Sequence, residues 1–137
     1  MKKLMAIDFG ERRIGIAISD SDQLFAFPLL TIDVKKSPAF LDKIVKIVNE
    51  QEVGKIIVGI PLTVDGKETN KSKQIKKFAD KLSKYINIPI EFQDESLTTL
   101  HASEVLHLQK KSLKKNKSKL DKIAAALILR NYLESKI

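Results

Sequence analysis

Carboxylates stand at three places where chemistry could be built on them. Asp8 closes a short apolar run, Leu4-Met5-Ala6-Ile7, and opens a glycine-containing turn, Phe9-Gly10-Glu11-Arg12-Arg13. A carboxylate at a strand end of an α/β sheet lies at the rim where ligands bind, although an Asx-type turn explains the residue locally. Asp94 and Glu95 follow the expected strand 89–93 in the same relation and precede a helix. There, acids near the N-terminus are stabilised by roughly 0.3–1 kcal/mol each. Asp121 is expected in the first turn of the last helix, three residues after Ser118, which is close to capping-box spacing. It precedes Ala124-Ala125-Ala126, small residues that let a helix lie tight on a sheet. Two strand-end acids and one helix-terminal acid can converge on one rim. Gathered there they would raise each other's pKa unless a cation offset them. Oxygen-rich groups of this kind suit Mg²⁺ or Mn²⁺, and a pair of such ions activates water in phosphodiester hydrolysis.

The charge supports a polyanionic substrate. The chain has 25 Lys+Arg against 17 Asp+Glu, a net charge of +8. Seven lysines and a single acid, Asp121, fall between Lys110 and Lys122, so most of the excess sits in one segment. A basic segment beside an acidic pocket can hold a phosphate backbone while metals do the chemistry. A solvated surface loop is the plain alternative. Within it, Lys111, Lys114, Lys115 and Lys117 are the candidate phosphate contacts, and the near absence of apolar residues from 110 to 119 predicts mobility without ligand. Lys71, Lys73, Lys76 and Lys77 read as solvated charge on a helix.

The elements that must position these residues follow from periodicity. The runs 4–7, 14–19 and 25–32 are joined by short polar turns and predict an antiparallel meander, with Pro28 placing the third strand at an edge or a bulge. Ser37-Pro38 predicts the start of a helix carrying Leu41, Ile44, Val45 and Val48. Strand 55–59, a helix through Ile75, Phe78, Ala79 and Leu82, strand 89–93 and a helix over 97–108 come next. A last helix carries a stripe of Leu120, Ile123, Ala124, Leu127 and Ile128. The order βββαβαβαα predicts an α/β domain whose later strands pair in parallel. The 137 residues suit one domain spanning 1–137.

Several chemistries are excluded or disfavoured. With 0 Cys there is no disulfide, thiolate metal site or cysteine nucleophile, which suits a reducing cytoplasm. No apolar run approaches the roughly 20 residues that cross a bilayer. His101 and His107 lack the i, i+4 spacing of a metal pair. Ser19, Ser96 and Thr98 have no His–Asp partners for a serine hydrolase. Gly10 and Gly15 have Walker spacing, but Ile16-Ala17 follow where Lys-Ser/Thr is needed. The two glycines are expected to admit a bulky ligand close to backbone. An actin-like ATPase would need a second domain and a second phosphate loop.

Four motifs in order resemble a known family. Asp8-Phe9-Gly10-Glu11-Arg12-Arg13-Ile14-Gly15-Ile16-Ala17, Val58-Gly59-Ile60-Pro61-Leu62 with Asp65-Gly66, Asp94-Glu95-Ser96-Leu97-Thr98-Thr99 and Asp121-Lys122-Ile123-Ala124-Ala125 are similar to the signatures of the YqgF/RuvX family. These are small bacterial proteins described as Holliday-junction-resolvase-like and as nucleases for the 5′ end of pre-16S rRNA. The resemblance implies a ribonuclease H-like fold with a mixed five-stranded sheet flanked by helices. It also implies a metal-dependent nuclease using Mg²⁺ or Mn²⁺ on Asp8, Glu95 and Asp121, with Arg13 on the substrate side. Of the neighbouring acids, it favours Glu95 over Asp94. Ser96 departs from the family's Arg, removing a guanidinium that could grip a phosphate bidentately. The implied partner is structured RNA or branched DNA, acted on by a monomer or weak homodimer. A nucleic-acid-binding protein without catalysis is the alternative from another class.

Overall fold

The computed structural model describes residues 2–61, 67–94 and 117–136, with Lys117 and Ser118 described by backbone alone. Eight elements follow in order: β1 (Lys3–Phe9), β2 (Arg13–Ser19), β3 (Ala26–Asp33), α1 (Phe40–Glu50), β4 (Val53–Ile60), α2 (Asn70–Ser83), β5 (Ile90–Asp94) and α3 (Lys117–Ser135). The helix expected over 97–108 lies outside the described residues.

The sheet has five strands in the order β3-β2-β1-β4-β5. β1, β2 and β3 pair antiparallel, as the short polar turns require, while β1–β4 and β4–β5 pair in parallel through helical crossovers. β3 is an edge strand, and its register with β2 slips between Ile16 and Ala17, beside Pro28. Pro28 therefore meets both conditions under which a sheet tolerates proline.

Side chains alternate between the two sheet faces, and each face has its own core. Met5, Ile7, Ile14, Ile16, Ile56 and Val58 pack with Ile44 and Val48 of α1 and Ile75, Phe78 and Leu82 of α2. Leu4, Ala6, Ala17 and Ile57 pack with Ala125, Ile128, Leu129 and Tyr132 of α3. Ile128 and Leu129 are fully buried, and each contributes roughly 1.5–3 kcal/mol to docking that helix.

Three local expectations are corrected. Ser37-Pro38 does not cap α1: the N-cap is Ala39 with no side-chain cap. The Ser37 N–H instead donates to the Asp33 carbonyl, closing the turn after β3, and its hydroxyl accepts from Lys43 Nζ. α3 begins at Lys117, so Ser118 is inside it and Asp121 lies in its second turn. The buried face of α3 is Ala124, Ala125, Ile128, Leu129 and Tyr132. Ile123 and Leu127 instead border a groove against Phe25 and Phe27 of the edge, because the helix crosses the sheet at an angle that a 3.6-residue stripe does not specify.

Candidate active site

Asp8 sits one residue before the end of β1 and is half-buried. It alternates with Leu4 and Ala6, so it shares the face that α3 covers. Its cross-strand partner on β2 is Gly15. A Cβ at Gly15 would lie 2.0 Å from the Asp121 carbonyl oxygen and 2.9 Å from the Lys122 nitrogen. The backbone of α3 therefore rests directly on β2 at this point, which only glycine permits. Directly opposed antiparallel residues lie about 4.5–5.5 Å apart, so Asp8 and Asp121 are brought to neighbouring places at the same rim. Gly15 was expected to admit a ligand; it admits the helix that carries the second acid. Gly10 has another task, since a Cβ there would meet the Arg13 carbonyl oxygen at 2.6 Å in the tight β1–β2 turn.

Arg13 begins β2 two residues before Gly15, on the same face. Its Nε donates to Asp121 Oδ2 at 2.7 Å, with the side chains 32% and 21% exposed respectively. The family resemblance implies Arg13 on the substrate side and Asp121 on the metal; the structure joins them as a charge-assisted pair. The pairing spans 108 residues, and no local pattern signals it. Behind it, Arg12 bonds Asp33 at 3.4 Å and the Val34 N–H donates to the Arg12 carbonyl, fixing the turn to the end of β3.

Asp94 closes β5 and is exposed. It pairs with Ile60, whose side chain belongs to the core under α1 and α2, so Asp94 is on the opposite face from Asp8. Glu95 lies outside the described residues, as do Ser96, His101, His107, Lys111, Lys114, Lys115 and the side chain of Lys117. Among the described residues no group of three His, Cys, Asp or Glu is gathered for a metal. The two described acids at the rim are hard oxygen donors, as Mg²⁺ or Mn²⁺ requires. The Arg13 guanidinium supplies the counter-charge to one of them. Ser19, by contrast, is buried and structural: it accepts from the Leu4 N–H and donates to the Asp20 carbonyl. On α2, Lys71, Lys73, Lys76 and Lys77 are all exposed apart from the pairing of Lys76 with Glu68, consistent with solvated charge.

Thermus thermophilus RuvC, solved in complex with a Holliday junction substrate, superposes with a TM-score of 0.57 at 11% identity, over 99% of this chain and 96% of that one. The fowlpox virus resolvase, solved with Holliday junction DNA, gives 0.61 at 15% identity over 98% and 99%. These likenesses establish the ribonuclease H-like fold. A protein of Chloroflexus aurantiacus called "Putative pre-16S rRNA nuclease" is 38% identical over 97% of this chain and 87% of its own. One of the same name from Thermoanaerobacter pseudethanolicus is 39% identical over 97% and 96%. The profile of a family described as "RuvX: Holliday junction resolvase" matches residues 2–135, and with relatives this similar along nearly their whole length the chain belongs to the RuvX family.

Proposed function

We propose that this chain is a metal-dependent nuclease that processes the 5′ end of pre-16S rRNA, acting in the cytoplasm as a single domain over residues 1–137. The observation that carries the reading is the seating of Asp121 on Gly15 beside Asp8. Two acidic residues far apart in the sequence thereby take neighbouring backbone positions near the carboxyl ends of the parallel strands, where an α/β sheet binds its ligand. The names of the relatives supply the substrate.

Asp8, Asp121 and Glu95 would hold Mg²⁺ or Mn²⁺. The family resemblance favours Glu95 over Asp94, and Asp94 itself shares the face of Ile60, opposite to that of Asp8. When bound, the ion supplies an activated water and neutralises charge at the scissile phosphate. Asp8, fixed by β1, orients the attacking side. Arg13 holds the Asp121 carboxylate against repulsion from Asp8 and keeps further guanidinium donors for a phosphate oxygen. Lys111, Lys114, Lys115 and Lys117 draw the backbone in by charge.

The test is cleavage of a precursor rRNA fragment by purified protein with Mg²⁺ or Mn²⁺. Chelation by EDTA is expected to stop it. Asp8→Asn is expected to lose more than the roughly 10–100-fold that losing an outer-sphere partner costs. An Asp8→Asn protein that cuts as fast as the parent would overturn the assignment. The family description favours one second reading, resolution of branched DNA. Symmetric cutting of a four-way DNA junction by a dimer, with the rRNA fragment left intact, would select it.

A further inference from the structure

At the end of α3 remote from Asp121, three lysines from three parts of the chain surround one cavity of about 650 Å³: Lys2, Lys55 and Lys136. Each is placed by a specific feature. Gly54 is a bulge residue, since Lys3 pairs with Val53 and Leu4 with Lys55. The extra residue shifts the alternation, so Lys55 falls on the face of Leu4, under α3, rather than in the apolar core with Val53. Bulges re-aim side chains in this way. The bare backbone of Gly54 also carries the stem of Lys2, whose Cβ lies 2.8 Å from where a Gly54 Cβ would be.

Tyr132 of α3 organises the rest. The residue is 5% exposed and its hydroxyl accepts from Lys55 Nζ at 3.1 Å. The Lys136 ammonium lies over its ring, 4.9 Å from the centroid, and that of Lys55 lies 5.7 Å away. Among the described residues Glu91 is the one acid in the cluster, 3.6 Å from Lys55. It balances one ammonium and leaves a positive excess facing the cavity.

We propose that this cavity is a second phosphate site, which takes a backbone phosphate of the bound nucleic acid. The identity of that partner rests on the function proposed above; the phosphate chemistry does not. Lys136 is about 22 Å along the helix direction from Asp121, at about 1.5 Å per residue. That spans more than about six phosphates of one strand, since an A-form RNA duplex rises less per base pair than the about 3.4 Å of B-form DNA. A duplex lying along α3 thus reaches the lysines while its other end is at the acids, and the site measures the helical stem that flanks the cut.

The experiment is Lys2→Gln with Lys136→Gln, which leaves the Lys55–Glu91 pair and the Tyr132 hydroxyl bond in place. Binding is measured in Ca²⁺, without hydrolysis, to RNA hairpins of about four and about fourteen base pairs over a range of salt. The long hairpin is expected to lose about tenfold in affinity, and its log K against log salt slope to become shallower by about 2, near 1 per phosphate contact. The short hairpin should bind as before. Unchanged affinity and slope for the long hairpin, or equal loss for both lengths, would overturn the site. So would loss of pyrophosphate or anionic-vesicle binding with RNA binding intact, which would assign the lysines to free polyphosphate or to a membrane. Hydrolysis of bis(4-nitrophenyl) phosphate, too small to reach the lysines, is read in parallel. A weakened long hairpin with no hydrolysis by either protein would leave this site standing and remove the nuclease reading.

Discussion

The two ends of α3 solve opposite electrostatic problems with the same device. At its start, a glycine in β2 lets helix backbone touch strand, and the approach places Asp121 near Asp8. Two like charges result, and Arg13 intervenes at 2.7 Å. Near its end, a glycine in β4 shifts the register so that Lys55 turns toward the helix, where lysines gather and Glu91 intervenes at 3.6 Å. In each place a missing side chain creates the contact and one counter-charge makes it tolerable. The ends differ in tightness. The acidic end is closed by backbone contact, whereas the basic end is an open cavity. A close-set oxygen site needs fixed geometry to hold a small divalent ion. A phosphate contact made by flexible lysines does not, because an ammonium acts as a point charge on a long stem.

The largest effect is expected from Gly15→Ala. The added Cβ would sit 2.0 Å from a carbonyl oxygen of α3, and backbone cannot step aside as a side-chain tip can. Overpacking a well-fitted site costs typically about 1–3 kcal/mol, and this contact is expected at or above that range. Urea unfolding at neutral pH gives the comparison with the parent. Nuclease activity should fall further than stability does, because lifting the helix also moves Asp121 from Asp8. A parent-like midpoint would mean that the helix start is not seated on β2. Gly10→Ala, against the Arg13 carbonyl at 2.6 Å, should act on the turn and leave the helix contact intact.

The sheet was legible because each strand carries its own signal. Short polar turns announce the antiparallel meander, and helical stripes between later strands announce parallel pairing. Asp8 was legible because a strand end followed by a turn is a local pattern. The rest depends on where α3 crosses the sheet, which is set by packing over Ala6, Ala17 and Ile57 and has no local record. The stripe through Ile123 and Leu127 accordingly reads as one apolar face with Ala124 and Ile128, although both border the groove beside Phe25 and Phe27. The start of α2 was obscured for another reason. Its cap is a Thr69–Ser72 box, with each hydroxyl accepting from the other residue's N–H. A Ser at the third helical position does not fit the usual Glu or Gln pattern. Tyr132 and Lys55, 77 residues apart, gave no sign of meeting.

Arg13→Gln should come next in size, and it separates position from charge. The Arg13–Asp121 pair is partly exposed, so its loss is expected to change stability by no more than about 1 kcal/mol. Activity should fall about 10–100-fold, as for the loss of an outer-sphere partner. Mn²⁺ binding, followed by electron paramagnetic resonance without substrate, should tighten, because a competing cation has left the carboxylate. Arg13→Lys should restore part of the activity, since charge returns without the planar fork. Tightened metal binding with undiminished activity would make Arg13 a spectator.

The smallest effect belongs to the basic end and is read through pH. The Tyr132 hydroxyl, followed by the charge of Lys55, holds the Glu91 carboxyl below its ordinary 4.5. The same hydroxyl, with Glu91 as a further contributor, holds Lys55 above its ordinary 10.5. A lowered acid gives stability that is complete above its unfolded pKa and is lost as pH falls through the folded value. A raised base gives stability that is complete below its unfolded pKa and is lost as pH rises through the folded value. The link between α3 and the sheet should therefore be at full strength between about 4.5 and 10.5. Glu91→Gln removes the acid limb and keeps the shape. The stability difference between parent and Glu91→Gln should be flat from about pH 5 to 9, at no more than about 1 kcal/mol for so exposed a pair. It should then shrink toward zero as pH falls below the ordinary 4.5 and through the lower folded value, where the parent's carboxyl takes up its proton. Other carboxylates titrate in both proteins and cancel in the difference. A difference that persists undiminished at low pH would mean that Glu91 acts through packing alone, and the lysines at this end would then need another counter-charge.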